Sequence, residues 1–457
     1  MNQDKINNRI MEMFENREFD NDFINIELDN FISNKLLSYQ HLHVYNLISC
    51  FKNNDIIIDG SETGTGKTFT SLAVCKYFDF TPLIICPRGT IAIWKRVCNN
   101  FNIVPIDIIN YEMIRPTNLK NKNYLEINNN KYLWKFNNNK KTVIIFDEAH
   151  KCRNNKTLNG KLLLSLKNIC KILLLSATLC DNPKNFAIFG YMLNFYNSMN
   201  KGKKWIGNII REQNSNKHNY NILHKYIFPS KGSRMNMSEI KYNFPMNKIS
   251  VESFDIEKKY LNVINDKYEN IKNINRSCGE DKLVKINSER QTIEIIKIPI
   301  IVDLIKKYLY HNKSVAVFIN FRHTQNQIIK YLSENNIEVS YINGSQDVNE
   351  REENINKFQN NITKVIISTI QSGGQSINLH DITGNNPRVS IINPSFSSTD
   401  LLQTLGRIYR AGLKSPALQI ILFCANTIED QIYKKIREKI NFMDTLTDDD
   451  LSSNIFK

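Results

Sequence analysis

The chain has 457 residues, 41% of them hydrophobic, which exceeds one ordinary core and suits two domains of about 150 residues with additions. Its 60 Lys and Arg against 45 Asp and Glu leave a formal net charge of +15, a field that favours a polyanionic partner. The nine scattered cysteines, with no C-x-x-C pair and no His at zinc-ligand spacing, exclude a disulfide framework and a zinc module, and no stretch approaches the ~18 apolar residues of a membrane span.

Residues 1–35 open with Met1-Asn2-Gln3-Asp4-Lys5, which has no apolar core for a signal peptide, and read as a short helical lead-in. A soluble intracellular protein is expected, with nothing to separate nucleus, cytoplasm and virion. From Leu36 the apolar positions Leu37, Val44, Leu47 and Ile48 fit one helical face. Gln40 in this segment can meet an adenine edge with both the donor and the acceptor of its amide, although a surface glutamine reads the same on spacing alone.

The strand Ile56-Ile57-Ile58 leads into Ser61-Glu62-Thr63-Gly64-Thr65-Gly66-Lys67-Thr68 and then a helix, the context a phosphate-binding loop requires. Thr63, Gly64, Thr65 and Gly66 supply inward-turning amides, Lys67 reaches the β- and γ-phosphates, and Thr68 holds Mg²⁺. Ser61 stands where the general pattern has its first glycine. The next strand, Pro82 to Pro87, delivers Arg88 and Thr90 to a strand end, where they can meet a phosphate backbone. A helix with Trp94 follows, then strand Ile106–Asn110 with Tyr111 at its exit. The Asn- and Lys-rich stretch Asn118–Lys141, with Tyr124, Tyr132 and Trp134, reads as a surface insertion whose aromatics either stack bases or cover an edge.

Thr142-Val143-Ile144-Ile145-Phe146 ends in Asp147 and Glu148, where a phosphate-loop NTPase places the acid that holds Mg²⁺ through water and the general base that handles the attacking water. Lys171 to Leu175 is a further buried strand with Ser176 and Thr178 at its exit. In this order and spacing the loop, Asp147-Glu148-Ala149-His150 and Ser176-Ala177-Thr178 resemble motifs I, II and III of the superfamily-two helicases and translocases, in which a small residue commonly stands at the place of Ser61. The resemblance implies that Gln40 contacts adenine and that the hydroxyls of Ser176 and Thr178 couple hydrolysis to nucleic-acid movement.

Residues 196–250 hold ten Lys and Arg, among them Lys201, Lys203 and Lys204, against two Glu. Such a cluster suits a backbone-binding surface, and a solvated inter-domain segment is the plainer reading. Residues 251–298 read as helices. A second α/β domain follows: a helix from Pro299 to Tyr310, a strand over 313–320, then alternating helices and strands to Thr369, with no phosphate loop of its own. After that strand, Gly373 and Gly374 allow close approach of backbone to a phosphate. Arg407 and Arg410, at i and i+3, are expected on one helical face, where they would stabilise transition-state charge on a triphosphate.

These stretches resemble motifs V and VI, and the details are most similar to the Swi/Snf-type branch: Pro87 with Trp94, Asn110-Tyr111-Glu112, Gly344 with Arg351 and Phe358, Asn378-Leu379, and Gln403 to Gly412. The phrase Pro229 to Met235 with Phe244-Pro245 is similar to compact viral members. Ser176-Ala177-Thr178 departs from that branch's usual T-G-T. The expected fold is α/β: two tandem RecA-like parallel-sheet domains, 36–195 and 299–440, with a helical, basic inter-domain segment 196–298 and a tail 441–457. The expected function is an ATP- and Mg²⁺-using translocase on duplex DNA, ATP lying in the cleft between domains while Arg88, Thr90, Tyr111, Ser176, Thr178, Thr369 and the three lysines meet the polymer. Two alternatives stay open: a DEAH-box RNA helicase, and an ATP-gated nucleic-acid-binding subunit of transcription or repair machinery.

Overall fold

The structure is a computed structural model that describes residues 26–116, 122–128, 131–136, 141–177, 179, 183–212, 223, 226–236, 240, 243–276, 282–373, 377–394, 398–427 and 429. The chain divides into two compact units, with the boundary between Ile240 and Lys241.

In unit 1, helix α1 (Gln40–Asn53) precedes β1 (Ile56–Asp59), α2 (Lys67–Phe78), β2 (Thr81–Cys86), α3 (Ile91–Asn100) and β3 (Asp107–Asn110). The insertion forms a hairpin of β4 (Leu125–Asn128) and β5 (Lys131–Trp134), and β6 (Thr142–Asp147), α4 (Leu158–Leu164) and β7 (Lys171–Leu175) follow. Then come α5 (Ala187–Met192), α6 (Met199–Glu212) and the two-residue β8 (Gly232–Ser233). The sheet order is β3-β2-β6-β7-β1-β8, and every pairing is parallel. All strands therefore end at one edge. Leu175 of β7 is in register with Asp59 on one side and Asp147 on the other, which sets the phosphate loop and the acidic pair on the strand exits either side of β7. Val44, Leu47, Ile57, Leu72, Trp94, Val143 and Leu173 share one buried cluster, so α1, α2 and α3 are anchored to the strands that carry the chemistry. Burying each such aliphatic side chain contributes about 1.5–3 kcal/mol.

Unit 2 begins with β9 (Asn247–Phe254), α7 (Lys258–Arg276), α8 (Lys282–Ile296) and α9 (Ile298–Tyr310), with Pro299 in its first turn. It continues with β10 (Ser314–Ile319), α10 (Arg322–Glu334), β11 (Val339–Ile342), α11 (Val348–Gln359), β12 (Val365–Thr369), β13 (Arg388–Ile392), α12 (Ser398–Leu405) and β14 (Ala417–Cys424). Its six strands, also all parallel, run β11-β12-β10-β13-β14-β9. Along β10 the side chains alternate between two clusters, Ala316 and Phe318 in one and Val315, Val317 and Ile319 in the other. A strand buried on both faces reads as the continuous apolar run seen in the sequence.

Residues 196–298, expected as one inter-domain segment, are shared between the units. β8 adds to the first sheet beside β1, and β9 pairs with β14 over eight residues in the second. In the insertion, the hydroxyl of Tyr124 and the ammonium of Lys122 both meet Asp107, and the Trp134 ring nitrogen donates to Ser165. Its aromatics stack on one another as Tyr132–Trp134–Phe136. Among the described residues no helix is long and apolar enough to cross a membrane, and the described cysteines are free thiols.

Candidate nucleotide and nucleic-acid site

β1 releases the chain into the loop, and α2 starts at Lys67 directly behind Gly66. Gly64 and Gly66 have φ of 90° and 96°, the left-handed region that a side chain resists. At Gly66 a Cβ would come within 2.3 Å of the Gln40 side-chain nitrogen. Gln40 is accordingly part of the loop wall: its Oε1 accepts from Leu37 N at 2.8 Å and its Nε2 donates to Thr65 O at 2.9 Å. Both ends of the amide expected to read adenine are thus engaged by the protein, because α1 packs against the loop. The Thr65 hydroxyl donates to Glu62 O at 2.8 Å, and Thr63 and Thr68 are half-buried at the start and end of the turn. The Lys67 ammonium donates to Ser61 O at 2.7 Å and Glu62 O at 3.0 Å, folded over its own loop.

Two strands away, β6 delivers Asp147 and Glu148. Asp147 Oδ2 accepts from the ring nitrogen of Trp94 at 2.9 Å, and its carbonyl accepts from the Tyr111 hydroxyl at 2.8 Å. Burial, and next the charge of Glu148, push the Asp147 carboxyl up to about 6, against the pull of Trp94 and Lys67. Glu148 has φ of 58°, a conformation a non-glycine residue adopts at a cost of about 1–3 kcal/mol and one that concentrates at active sites. Its Oε2 lies 3.2 Å from His150 Nδ1, which is also 3.3 Å from Ser176 Oγ. His150 therefore joins the acidic pair at the exit of β6 to the hydroxyl at the exit of β7.

The hydroxyl of Thr68 and the carboxylate of Asp147 are hard oxygen donors of the kind Mg²⁺ takes. Among the described residues no cluster of three or more His, Cys, Asp or Glu forms an all-protein cage. That donor set fits an ion held by one carboxylate together with substrate phosphates.

Several residues expected to touch nucleic acid face elsewhere. Tyr111 is 0% exposed and spends its hydroxyl on Asp147; Ser176 is 1% exposed and turned to His150. Thr369, the last residue of β12, is buried as well, on a strand paired on both sides by β10 and β11. Thr178 and Gly374 lie outside the described residues. Arg88 is exposed just after β2, and Thr90 turns its hydroxyl back to Pro87 O at 2.9 Å. Lys201, Lys203 and Lys204 are all exposed on α6, whose Ile206 and Ile209 are buried.

In unit 2 the helix expected to carry both arginines stops at Leu405, so Arg407 and Arg410 sit in the turns beyond it. They still converge: Nη1 of each donates to Ile377 O at 3.3 Å. Arg407 is 4% exposed, with its Nε on Gln403 O at 2.9 Å, whereas Arg410 is half-exposed and also bonds the Asn378 side-chain oxygen. Sequence reasoning missed His43 and Asp59, which lie buried behind the loop; an acid ending a run of three isoleucines was the available signal.

Fold and site together define a phosphate-loop NTPase built from two parallel-sheet units. The family model "Type III restriction enzyme, res subunit" matches residues 33–181 and "Helicase conserved C-terminal domain" matches residues 297–412. A protein of Acanthamoeba polyphaga mimivirus named as an ATP-dependent RNA helicase is 32% identical over 95% of this chain and 88% of its own length. The human SWI/SNF-related matrix-associated actin-dependent regulator of chromatin subfamily A member 1 is 22% identical over 89% of this chain and 43% of its own. A solved structure of S. cerevisiae Dbp5 bound to RNA and ADP BeF3 covers 92% of this chain and 93% of its own at a TM-score of 0.51 and 13% identity, a likeness of fold. The chain belongs to the superfamily-two helicases and translocases, among which it is similar to viral and to Swi/Snf-type members, and couples nucleic-acid-dependent ATP hydrolysis to movement on or remodelling of nucleic acid.

Proposed function

We propose that the polymer is duplex DNA and that ATP is hydrolysed as its Mg²⁺ complex. What carries the DNA reading is the match across 89% of the chain to a regulator of chromatin, together with Asn378-Leu379 and Gln403 to Gly412 in the Swi/Snf arrangement. Lys67 leaves its loop carbonyls for the β- and γ-phosphates. Thr68 and Asp147 would hold the Mg²⁺, which neutralises triphosphate charge when bound. Glu148 takes the proton of the attacking water, and His150 carries its position to Ser176. Arg410 stabilises the charge that develops in transfer, an effect of about 10³–10⁵ in related chemistry, while buried Arg407 holds the turn in shape. Arg88 and the exposed lysines of α6 track the phosphate backbone.

A second reading, an RNA helicase, is favoured by Ser176-Ala177-Thr178 and by the name of the mimivirus relative. ATP turnover measured with no polymer, single-stranded DNA, duplex DNA and RNA separates the two. Stimulation by duplex DNA is expected. Selective stimulation by RNA promotes the second reading, and equal rates in all four overturn both.

A further inference from the structure

Two buried residues behind the phosphate loop, His43 and Asp59, belong to none of the motifs above and tie Ser61 of the loop to Ser233. Asp59, the last residue of β1, is 0% exposed. Its Oδ1 accepts from Ser61 N at 2.9 Å, and its Oδ2 accepts from the Thr70 hydroxyl at 3.3 Å and lies 3.0 Å from His43 Nε2. His43, on α1, is buried too; its Nδ1 meets Ser233 Oγ at 2.9 Å and its Nε2 lies 3.3 Å from Ser61 Oγ. Ser61 Oγ in turn accepts from Met235 N at 3.0 Å. A carboxylate beside Nε2 requires the proton there, leaving Nδ1 to the Ser233 hydroxyl.

The backbone repeats the connection. Ile58 N donates to Lys231 O at 3.0 Å, Gly60 N to Ser233 O at 3.0 Å and Glu62 N to Met235 O at 3.1 Å. The ladder between β1 and β8 thus runs past β1 into the loop itself. Gly232 permits this approach, since a Cβ there would stand 2.2 Å from Ile58 O. Ser61 and Glu62, held from this side, supply the two carbonyls on which the Lys67 ammonium rests. A buried carboxylate is a poor source of stability even when hydrogen-bonded, because desolvation offsets what the bonds contribute. Its contribution here is to fix where residues 61 and 62 stand.

We propose that His43 and Asp59 are positioning residues for the phosphate loop: acting through Ser61 and Ser233, they hold the carbonyls under Lys67 and so set the affinity for a nucleoside triphosphate. The proposal rests on the reading of this loop as the ATP site and makes Ser61 a functional part of it. In the full-length chain, His43→Leu should raise the ATP KM and the dissociation constant of a fluorescent ATP analogue together by about tenfold, the worth of a hydrogen bond to a charged group, with kcat at saturation little changed. Ser233→Ala removes one neutral hydroxyl and should raise both by about threefold. The doubly neutral His43→Gln/Asp59→Asn, in which the Asn oxygen still accepts from Ser61 N and its NH2 can donate to the Gln oxygen, should restore part of the affinity.

An unchanged dissociation constant in folded Ser233→Ala and His43→Leu overturns the proposal. So does a fall in kcat at constant KM. If His43→Leu fails to fold, Ser233→Ala decides alone. Wild-type chain that binds the analogue but does not hydrolyse ATP overturns the hydrolytic reading and leaves the affinity test standing.

Discussion

In unit 1 the helix after β1 opens at Lys67 with Gly66 before it and no side chain bonded to its first amides; in unit 2 the corresponding turn, from β10 into α10, is filled by a carboxylate from the protein itself. Glu294 Oε2 accepts from Asn320 N at 2.7 Å and from its side-chain nitrogen at 2.8 Å, and Oε1 accepts from Phe321 N at 3.0 Å. Behind it the buried Lys297 donates to Glu429 at 2.5 Å and to Asn393 at 3.0 Å, and Asn393 donates back to Glu294 at 2.5 Å. A strand exit that feeds a helix N-terminus attracts an anion. On the reading proposed above unit 1 keeps that position for a phosphate, and unit 2 occupies it with Glu294. The same parallel-sheet scaffold is thereby open to nucleotide in one unit and closed in the other, and the difference lies in one loop's glycines against one buried acid.

Removing the working acid of the open edge should have the largest effect. Glu148→Gln should lower polymer-stimulated turnover by about 10²–10⁴, the usual contribution of a general base, while the fluorescent ATP analogue binds as in wild type. Turnover like wild type would remove Glu148 from the role of base. At the closed edge the effect should be on folding. Glu294→Ala leaves two backbone amides and the buried Lys297 network short of a partner, and should cost about 3–5 kcal/mol. Calorimetry should show a lowered transition, with the analogue's affinity in unit 1 unchanged below it. Loss of nucleotide affinity without loss of stability would show that the Glu294 edge is part of a binding site, and the contrast between the units would fail.

Much of this contrast was legible in the residues. The runs Ile56–Ile58, Val143–Phe146 and Ile172–Leu175 are too short and too apolar for surface helices, and each ends in groups that no core would choose without a use. The direction of side chains was not legible. Gln40, Tyr111 and Ser176 have the chemistry expected of them, but packing turns each toward the protein. Arg407 and Arg410 look alike in sequence; α12 ends at Leu405, and the turns that follow bury one and leave the other half-exposed. β8 and β9 escaped notice because edge strands rich in Asn, Ser and Lys carry little apolar pattern, and their pairing is decided by β1 and β14. Glu294 and Lys297 sat in a stretch read only as charged helix, since burial of a charge shows only once its partner, here Asn320 or Glu429, is placed beside it.

The smallest expected effect concerns α6, which belongs to unit 1 but lies outside its loop. Lys201, Lys203 and Lys204 are exposed while Ile206 and Ile209 anchor the helix, so changing the three to Gln should leave stability and analogue affinity intact. If each lysine meets one phosphate, each displaces a counterion, and the slope of log affinity against log salt for duplex DNA should fall by about 0.9 per lysine. Titrations at four or five salt concentrations measure this directly. An unchanged slope would make α6 a solvated face and leave backbone binding to Arg88 and the strand exits. A slope reduced for duplex DNA and for RNA alike would mean that α6 reads charge alone, so that any preference between the polymers is made elsewhere.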